Sequence, residues 1–545
     1  MTDVHQPRFD AGHKTEKSAH WANLAHGTSY YGGQNVLLND IIRINAQKSP
    51  ERTAVIAGER IVSYGELHER TVRLANALLG VAASGDRVAI LAENVPEYIE
   101  CYFGVPAAGM ALTFLNYRLN PKEWAWIVAN ADAAVFIVER KFLDQIDGLL
   151  SQMPSVKHVI VIGGHGEGSH TDYDDFVGSG SAQDPDLNVD EDETAWLLYT
   201  SGTTGFPKGA MLTHRNLVTA ALESVIEYEP IPDERSLVAF PLCHVSGYLV
   251  PVTMIRGGLV VLMPAYEPGL WMELVDKHGI TGSSMAPTMM NFLLQHPKID
   301  SYKLTTLRGL GYGAAAMPVE VLRAAIARLG PIVYSGFGMT ELGGNVLTFP
   351  KSAHVRAING EEHLLASCGT PMCLSNVKVV DGEMKECPPG VVGEIVVRSE
   401  QVLKGYWRNE EGSRAAFTNG WFHTGDLAKR DSEGFFYIVD RMKDMILTGG
   451  ENVYSREVEE VIYTHPAVSE AAVIGLPDAT WGEKVAAVVV LRKGATATDA
   501  DIVRVCRDRL AGFKSPKHVF FIDELPKTVS GKILKRDLRD RFTSD

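Results

Sequence analysis

A short loop that combines glycines, hydroxyl side chains and one lysine carries the clearest chemistry in the sequence. It spans Tyr199–Gly209, with the sequence YTSGTTGFPKG. Glycines allow tight turns, and successive backbone N–H groups form an anion-binding nest. The loop is therefore a candidate polyphosphate site, whose predicted ligands are Thr200, Ser201, Gly202, Thr203, Thr204, Gly205 and Lys208. The apolar run Trp196–Tyr199 predicts a buried strand leading into it.

Two alternatives compete with this interpretation of the loop. An ordinary surface turn has a similar composition. A Walker A motif requires Gly, four residues and then Gly-Lys-Ser/Thr, but Phe206 and Pro207 separate Gly205 from Lys208. A P-loop NTPase is therefore disfavoured.

The segment SGFGMTE, residues 335–341, is a second candidate site. It follows Ile332–Tyr334, a predicted strand, and ends in Thr340 and Glu341. A carboxylate beside a hydroxyl after a glycine turn can hold Mg²⁺ and contact a phosphate. A Thr-Glu pair that simply begins a helix is the commoner alternative.

Two later motifs add groups suited to a nucleotide. Asp426 lies in a His-Thr-Gly-Asp turn, and a fixed carboxylate can accept both ribose hydroxyls. Arg441 suits ribose or phosphate oxygens. Lys532 lies in PKTVSGK, where a glycine turn favours a cation that moves to an active site. A turn cap and a solvated lysine are the alternatives.

Composition limits the class of protein. The 545 residues have a net charge of −15, from 52 basic and 67 acidic side chains, which argues against nucleic acid or an anionic membrane as partner. The six cysteines form no CxxC pair, so we expect reduced thiols and a cytoplasmic protein. No apolar run is long enough to span a bilayer, so no integral membrane segment is expected.

The sequence predicts an N-terminal arm and two domains. Residues 1–35 are polar and predict an arm, 36–440 the main domain, and 441–545 a small domain. Ser63 and Glu66 predict a helix start, and short apolar runs at 88–91, 135–138 and 159–162 predict a parallel α/β sheet. Residues 163–190 predict a loop. In the small domain, Ser455 is the predicted cap of a helix through Ile462, and a helical stripe reaches Leu510 before Gly512.

The ordered set of motifs resembles the adenylate-forming superfamily of acyl-CoA synthetases, adenylation domains and luciferases, and is similar to fatty-acid–CoA ligases. The resemblance covers about residues 36–541. It implies a large N-terminal domain of α/β subdomains with a β-barrel-like part, and a small mobile α+β C-terminal domain. It also implies ATP, Mg²⁺ and CoA as cofactor and co-substrates: a carboxylate reacts with ATP to give acyl-AMP and pyrophosphate, and CoA then displaces AMP.

The resemblance assigns roles around the nucleotide. Thr340 would contact the α-phosphate, Glu341 would bind Mg²⁺, Asp426 and Arg441 would contact the ribose, and Lys532 would bridge the carboxylate and α-phosphate. The residues implied to face adenine are Gly313, Ala314, Ala315 and Phe337. Most relatives have Tyr at the Phe337 position, so stacking remains without a hydroxyl contact.

The resemblance also implies a hinge at Lys443 and a CoA surface. The CoA residues are Gly449, Gly450, Glu451, Trp481 and Phe513. Some relatives carry a basic residue at Ser515, and neighbouring Lys514 and Lys517 are possible substitutes.

The acid pocket is implied to contain His244, Tyr248, Met285, Gly311, Met339 and Gly343. Without the resemblance, a core histidine is the default interpretation of His244. We expect a fatty or other hydrophobic monocarboxylate. An aryl-acid CoA ligase and a carrier-protein-loading ligase remain alternatives, as does a non-catalytic nucleotide- or acyl-binding regulator. The expected partners are small molecules and a possible second copy in a homodimer.

Overall fold

The computed structural model describes residues 35–164, 170–200, 207–313, 317, 319–527 and 533–543. Within the chain, Leu37–Asp545 forms one compact unit. The predicted arm at 1–35 lies almost entirely outside the described residues, and the predicted boundary between 440 and 441 stays a prediction.

The strands follow one another throughout the described chain. In chain order they are β1 Thr53–Ala57, β2 Arg60–Ser63, β3 Arg87–Leu91, β4 Ala111–Phe114, β5 Ala133–Glu139, β6 His158–Ile162, β7 Thr171–Asp172, β8 Thr194–Thr200, β9 Lys208–Thr213, β10 Arg235–Val238, β11 Leu259–Leu262, β12 Gly282–Met285, β13 Gly309–Tyr312, β14 Val333–Met339, β15 Gly344–Phe349, β16 Thr370–Pro371, β17 Asn376–Val380, β18 Gly393–Arg398, β19 Gly405–Tyr406, β20 Phe417–Thr418, β21 Trp421–Arg430, β22 Phe436–Arg441, β23 Ile446–Thr448, β24 Glu451–Val453, β25 Val468–Asp478, β26 Gly482–Leu491 and β27 His518–Phe521.

The helices separate these strands. In chain order they are α1 Asp40–Lys48, α2 Tyr64–Leu79, α3 Pro96–Ala107, α4 Pro121–Ala131, α5 Arg140–Asp147, α6 Tyr173–Ser179, α7 His214–Tyr228, α8 Leu249–Met254, α9 Pro268–His278, α10 Pro287–Leu294, α11 Val319–Leu329, α12 Lys351–Ile358, α13 Glu410–Ala415, α14 Ser455–Tyr463, α15 Asp499–Arg507 and α16 Lys535–Phe542.

Two large sheets carry the N-terminal part. One has the order β16-β15-β14-β13-β12-β10-β11-β1-β2, and its strands from β14 to β1 run parallel. The other has the order β19-β9-β8-β4-β3-β5-β6-β7, with β3, β4, β5, β6 and β8 parallel. Alternating strands and helices produce such sheets, and the parallel α/β prediction for residues 88–162 is confirmed.

A third, antiparallel sheet joins β17, β18, β20, β21 and β22. One hydrophobic cluster includes Val55 of the first large sheet, Val88 of the second and Val377 of the third. A shared cluster of this kind indicates one continuous core. The three sheets therefore belong to one large N-terminal domain.

The C-terminal part has its own sheet and its own core. β23, β24, β25 and β26 are antiparallel, and β27 adds to β26 in parallel. Val458 of α14, Ile502 of α15 and Val473 of β25 share one cluster, and Leu538 of α16 packs in another. The predicted small α+β domain is confirmed.

The predicted start of α2 is also confirmed. Ser63 Oγ accepts a hydrogen bond from the Glu66 N–H at 3.2 Å. Leu67, Leu74 and Leu78 are buried along the helix, as their spacing predicts.

The predicted loop at 163–190 is wrong over Tyr173–Ser179, which forms α6. Asp172 caps this helix by accepting from the Asp174 N–H at 2.8 Å and the Asp175 N–H at 3.1 Å. Tyr173 is buried, and its hydroxyl donates to Glu100 at 3.0 Å. Tertiary burial of a few apolar residues thus overrides the polar composition of the segment.

The predicted cap at Ser455 is wrong. Tyr454 is the N-cap of α14, and Ser455 is its first helical residue. The Ser455 hydroxyl and N–H both donate to Asp440, at 3.1 and 2.5 Å. A carboxylate from β22 is a stronger acceptor at a helix N-terminus than a neutral hydroxyl.

The predicted stripe to Leu510 forms a shorter helix than expected. α15 ends at Arg507, and the buried residues on it are Ile502 and Cys506. All six cysteines are free, as predicted. Among the described residues, no helix combines the length and apolar character needed to cross a bilayer.

Candidate active site

Three parallel strands end at the same edge of the first sheet. β12, β13 and β14 end at Met285, Tyr312 and Met339. Ligands of α/β proteins bind in the crevice outside such carboxyl ends. Thr340 and Glu341 follow β14 directly, in the single turn Thr340–Leu342. The SGFGMTE segment therefore forms a strand and a turn, and the turn lies at this edge.

Gly343 ends that turn in a left-handed conformation with φ +64°. Its N–H donates to the Thr340 carbonyl at 3.0 Å. A side chain would be strained at this φ. Gly343, which is predicted to line the acid pocket, is thus needed here for the left-handed backbone conformation that ends the turn.

The candidate phosphate loop joins two antiparallel strands. In the pairing of β8 with β9, Thr200 lies opposite Lys208 and Tyr199 opposite Gly209. A Cβ on Gly209 would lie 3.0 Å from Leu197 and 3.2 Å from Tyr199, so packing explains this glycine. Thr200 and Lys208 therefore mark the base of a hairpin. The other predicted ligands lie outside the described residues: Ser201, Gly202, Thr203, Thr204 and Gly205.

The Glu341 carboxylate contacts the base of this hairpin. Its Oε1 accepts hydrogen bonds from the Thr200 hydroxyl at 3.3 Å and from the Tyr406 hydroxyl at 3.2 Å. Glu341 is buried, and Lys208 Nζ lies 5.1 Å from the centre of the Tyr406 ring. Two predicted sites far apart in sequence therefore meet in one polar cluster.

Tyr406 is a member of this cluster that the sequence motifs did not identify. It lies in the two-residue strand β19, which adds to β9. Burial raises the pKa of its hydroxyl, and the neighbouring Glu341 raises it further, so it remains a proton donor. The sequence around it, Gly405-Tyr406-Trp407, contains no charged group and does not by itself indicate a contact with the phosphate loop.

Glu341 fits the chemistry of a magnesium ligand. Within the described residues both of its hydrogen bonds use Oε1, which leaves Oε2 for a cation. The described residues hold no cluster of three His, Cys, Asp or Glu side chains suited to a metal. One carboxylate together with substrate phosphates is a usual way to bind Mg²⁺. The arrangement therefore suits a metal that binds with a nucleotide.

Asp426 and Arg441 lie directly opposite each other on β21 and β22. Arg441 Nε is 2.5 Å from Asp426 Oδ1, and the aspartate is buried while the arginine is about one-third exposed. The antiparallel pairing explains the contact, since opposed residues lie side by side. The two predicted ribose contacts are thus brought together.

Lys443 follows Arg441 in the short turn Met442–Asp444. Burial lowers the pKa of its ammonium group, partly opposed by Asp444. Arg539 of α16 donates to Asp444 at 2.8 Å, so the C-terminal helix packs on this turn. The predicted hinge role of Lys443 stays a prediction.

The predicted adenine segment is only partly described. Among the described residues, a Cβ on Gly313 would lie in ordinary van der Waals contact with the Gly336 carbonyl, at 3.8 Å. Phe337 is 9% exposed and packs in the main hydrophobic cluster, which leaves little of its ring for a base. Ala314 and Ala315 lie outside the described residues.

His244, which is predicted to line the acid pocket, is a neutral group. It precedes the turn Val245–Tyr248, and its Nε2 is buried with no hydrogen-bond partner among the described residues. Burial, reinforced by Arg118, lowers its pKa to about 4. At neutral pH the imidazole is therefore uncharged and retains one unused polar atom.

The other predicted pocket residues divide between two faces of the first sheet. A Cβ on Gly311 would lie 2.6 Å from Ser284 Oγ, so Ser284 and Gly311 share a face. Met285 is the next residue along β12 and packs in a separate core cluster, on the opposite face. Met339 packs against the main cluster, and Tyr248 is buried in it. The contacts thus favour Gly311 and Tyr248 over Met285 as pocket residues.

Most of the predicted CoA residues form one surface of the C-terminal domain. Gly449 has φ +60°, and its N–H donates to the Trp481 carbonyl at 2.8 Å. A Cβ there would lie 2.7 Å from the Trp481 ring, which is half-exposed. Gly450 and Glu451 continue this exposed turn.

Phe513 is partly exposed on the same domain. We suggested that Lys514 could replace the basic residue that some relatives have at the position of Ser515. This is less favourable than expected, because the Lys514 ammonium group donates to both carboxylate oxygens of Glu457, at 2.8 and 2.7 Å. Lys532 lies outside the described residues, and its role stays a prediction.

Comparisons with known proteins agree with this arrangement. The family model of the AMP-binding enzyme matches residues 42–407, and that of the AMP-binding enzyme C-terminal domain matches residues 457–532. A feruloyl-CoA synthase from Amycolatopsis sp is 39% identical over 504 residues, covering 91% of this chain and 97% of that protein. A fatty acid–[acyl-carrier-protein] ligase from Streptomyces coeruleorubidus is 33% identical, covering 92% of this chain and 95% of that protein.

Solved structures show the same fold. ATP-bound MatB from Rhodopseudomonas palustris has a TM-score of 0.84 at 31% identity, covering 93% of this chain and 99% of that chain. The matched segments contain Thr200, Glu341 and Tyr406, the polar cluster at the strand ends. The chain therefore belongs to the AMP-binding enzyme family, the adenylate-forming superfamily that its motifs resemble.

Proposed function

We propose that this chain is an AMP-forming acid–CoA ligase. A carboxylate oxygen attacks the α-phosphorus of ATP and pyrophosphate leaves, which gives an acyl-AMP. The CoA thiol then attacks the acyl carbon and loses its proton, and AMP leaves to give the thioester. The observation that carries the proposal is the meeting of Glu341 with Thr200 and Tyr406 at the base of the phosphate-loop hairpin.

The residues of this cluster provide charge and position. Lys208 supplies a positive charge for the β- and γ-phosphates, and Thr340 a hydroxyl for the α-phosphate. Bound Mg²⁺ would neutralise phosphate charge and make the α-phosphorus a better electrophile. Glu341 would hold it, while the Thr200 and Tyr406 hydroxyls fix that carboxylate. Fixed groups aimed at developing charge lower the barrier of phosphoryl-group chemistry.

Asp426 and Arg441 are proposed to fix the ribose. Asp426 is buried and already oriented by the ion pair with Arg441. A carboxylate in this state loses little rotamer freedom when it accepts the ribose hydroxyls. Lys532 is proposed as the cation that bridges the attacking carboxylate and the α-phosphate, and the exposed turn at Gly449 as a CoA contact.

The proposed acid is a hydrophobic monocarboxylate with an aromatic ring. Tyr228 and Tyr334 pack against each other behind the strand ends, with ring centres 4.8 Å apart, so the proposed surroundings of the acid are rich in aromatic groups. The relative that is named a feruloyl-CoA synthase supports the same class. A fatty acid is the alternative, supported by the relative that is named for one, whose acceptor is a carrier protein.

The test is AMP and pyrophosphate formation across a panel of aromatic, fatty and amino acids, with and without CoA. We expect aromatic acids to give AMP and CoA thioester together. Pyrophosphate release with accumulation of acyl-AMP in the presence of CoA would instead favour a carrier protein as acceptor. No release with any acid would contradict the proposed enzyme.

A further inference from the structure

Three strands place a serine, a glycine and a tyrosine in one row behind the candidate active site. Ser284 of β12 lies opposite Gly311 of β13, and Gly311 lies opposite Tyr334 of β14. Opposed residues of neighbouring strands point to the same face. A Cβ on Gly311 would lie 2.6 Å from Ser284 Oγ and 3.2 Å from the Tyr334 hydroxyl. Two hydroxyl groups therefore converge above a residue that has no side chain.

A second pair of polar groups meets this row from the other side. Tyr228 at the end of α7 faces Tyr334, with ring centres 4.8 Å apart. The Asn345 side-chain amide donates to the Tyr228 hydroxyl at 2.7 Å. Gln401 in turn donates to the Asn345 carbonyl at 2.8 Å, which holds the backbone of this residue. The amide and the phenol are therefore fixed in place.

Two further hydroxyls lie buried in this region. Tyr248 and Ser224 are buried, and neither hydroxyl oxygen has a hydrogen bond of normal geometry among the described residues. Burial raises the pKa of Tyr248, while the nearby hydroxyls of Ser224 and Tyr228 oppose that rise. These hydroxyls are thus neighbours of Tyr228 and remain protonated at neutral pH.

This concentration of hydroxyls is unfavourable for an alkyl tail. A buried polar group without a partner is destabilising, because it has given up its hydrogen bonds to water. A chain of methylene groups would surround the hydroxyls without bonding to any of them. A ligand hydroxyl can both accept and donate, so it can accept from Tyr228, whose hydroxyl oxygen accepts from Asn345 and whose proton remains to be donated.

The position of the row matches the length of a short aromatic acid. Gly311 precedes Gly313 by two residues, or about 7 Å along an extended strand. Gly313 lies just beyond the end of β13. The hydroxyls above Gly311 therefore lie about one ring deeper in the fold than that edge.

We propose that Tyr228, Tyr334 and Asn345 recognise a hydroxyl group on the ring of the acid, at the end remote from its carboxylate, which makes the preferred substrate a phenolic acid. This inference rests on the proposed function and names its substrate class. The three residues determine specificity and take no part in the bond changes.

The first experiment compares three acids with the full-length wild-type chain, ATP, Mg²⁺ and CoA. The probes are 4-hydroxycinnamate, cinnamate and decanoate, and AMP formation gives kcat/KM for each. We expect 4-hydroxycinnamate to exceed cinnamate about 10-fold, since a site built for a hydroxyl leaves its polar groups unpaired with the analogue that lacks it. A ratio of one or less, or a preference for decanoate, would overturn the inference.

The second experiment removes single hydroxyls. In Tyr228→Phe, and separately in Tyr334→Phe, we expect the 4-hydroxycinnamate to cinnamate ratio to fall about 5-fold, as for one lost hydrogen bond. The loss in kcat/KM should be larger for 4-hydroxycinnamate than for cinnamate, because the rings remain in place and only the hydroxyl is removed. Asn345→Leu should lower the same ratio, and it provides a third variant if one tyrosine variant does not fold.

The control is Tyr463→Phe, the same change on α14 of the C-terminal domain, where the tyrosine is partly exposed. It should leave the ratio unchanged. If none of the three pocket variants changes the ratio, the inference fails, while continued CoA-dependent AMP formation would leave the proposed function intact. Absence of AMP formation with every acid would defeat both.

Discussion

The proposed nucleotide-facing and acid-facing ends of the site differ in the kind of interaction that they offer. At the nucleotide-facing end, defined by Thr200, Glu341, Asp426 and Arg441, charged groups are held by short contacts such as the 2.5 Å ion pair of Asp426. At the acid-facing end, defined by Tyr228, Ser284, Tyr334 and Asn345, the groups are neutral hydroxyls and an amide. One end is arranged for electrostatics, and the other for shape and hydrogen bonding.

This difference explains why the two ends tolerate change differently. Binding charge on phosphate and ribose requires particular side chains at particular places. A pocket for a neutral ring can be built from many combinations of glycine, serine and aromatic residues. Substitutions at the first end should therefore affect the reaction itself, and those at the second should change the choice of acid.

The largest expected effect is that of Lys532→Ala. Removal of a cation that stabilises charge in the transition state should lower acyl-AMP formation about 10²–10³-fold. Thioester formation from supplied acyl-AMP and CoA should be largely retained. Pyrophosphate release and single-turnover thioester formation measure the two steps.

Arg536→Ala is the matched control, since Arg536 is an exposed cation of the same tail with one surface ion pair. It should leave both steps near the wild-type rate. Equal loss of both steps in Lys532→Ala would contradict the role assigned to this lysine. It would also count against the view that charged residues at the nucleotide-facing end act on the first step of the reaction.

Glu341→Gln should have the next largest effect. The amide keeps the shape and can still accept from Thr200 and Tyr406, but it lacks the charge that binds Mg²⁺. We expect pyrophosphate release to fall about 10²-fold, with a higher Mg²⁺ concentration needed for half-maximal rate. Titration with Mg²⁺ measures this shift.

Tyr406→Phe is the comparison variant for that prediction. It removes one hydrogen bond to Glu341 and should lower the rate of pyrophosphate release only about 5-fold. A Glu341→Gln variant with an unchanged Mg²⁺ requirement would show that this carboxylate is structural.

Asp426→Asn should mainly weaken ATP binding. The substitution removes the ion pair with Arg441 and one strong acceptor for the ribose, so the KM for ATP should rise about 10-fold. The KM for the acid should change little, because the two ends are separate. A similar rise in both KM values would contradict that separation.

The smallest expected effect concerns the pH dependence of stability and the buried, neutral side chain of His244. Burial lowers the pKa of folded His244 to about 4, whereas an unfolded histidine titrates near 6.5. The unfolded chain therefore binds the extra proton first, and His244 should reduce stability as pH falls from about 6.5 towards 4. Glu100 and Glu223 are buried with raised pKa values and act in the opposite direction.

His244→Gln isolates this contribution. The variant should resemble the wild type at pH 7.5, and its Tm should fall by about 2 °C less on acidification to pH 5. Thermal unfolding at a series of pH values measures the difference. Parallel curves for the two proteins would mean that His244 is not buried as a neutral group.

Much of the fold could be predicted from local patterns. The helix after Ser63 and the parallel strands at 88–162 follow from capping chemistry and apolar runs, which act over a few residues. α6 could not be predicted, because the burial of Tyr173 depends on Glu100, 73 residues earlier. Ser455 was misassigned for the same reason, since its partner Asp440 belongs to another strand.

The residues of the candidate site also divide into those that local sequence motifs predict and those that only the structure identifies. Glu341, Asp426 and Arg441 were predicted because each lies in a motif with a characteristic spacing. Tyr406 was not, since its link to Glu341 spans 65 residues and depends on the addition of a two-residue strand to β9. Lys532 and most of the phosphate loop lie outside the described residues, so their roles rest on the sequence alone.

The sequence by itself determined the family and identified the residues that we propose for the nucleotide-facing end. Those residues lie in short motifs because several groups must contact one phosphate or ribose, and local backbone conformation can arrange them. Only the tertiary structure decided which residues surround the proposed acid site. The Ser284, Gly311 and Tyr334 row arises from the register of three strands, and Tyr228 and Asn345 reach it from a helix and a fourth strand. A pocket of this kind has no local pattern, because its members are neighbours only after the chain has folded.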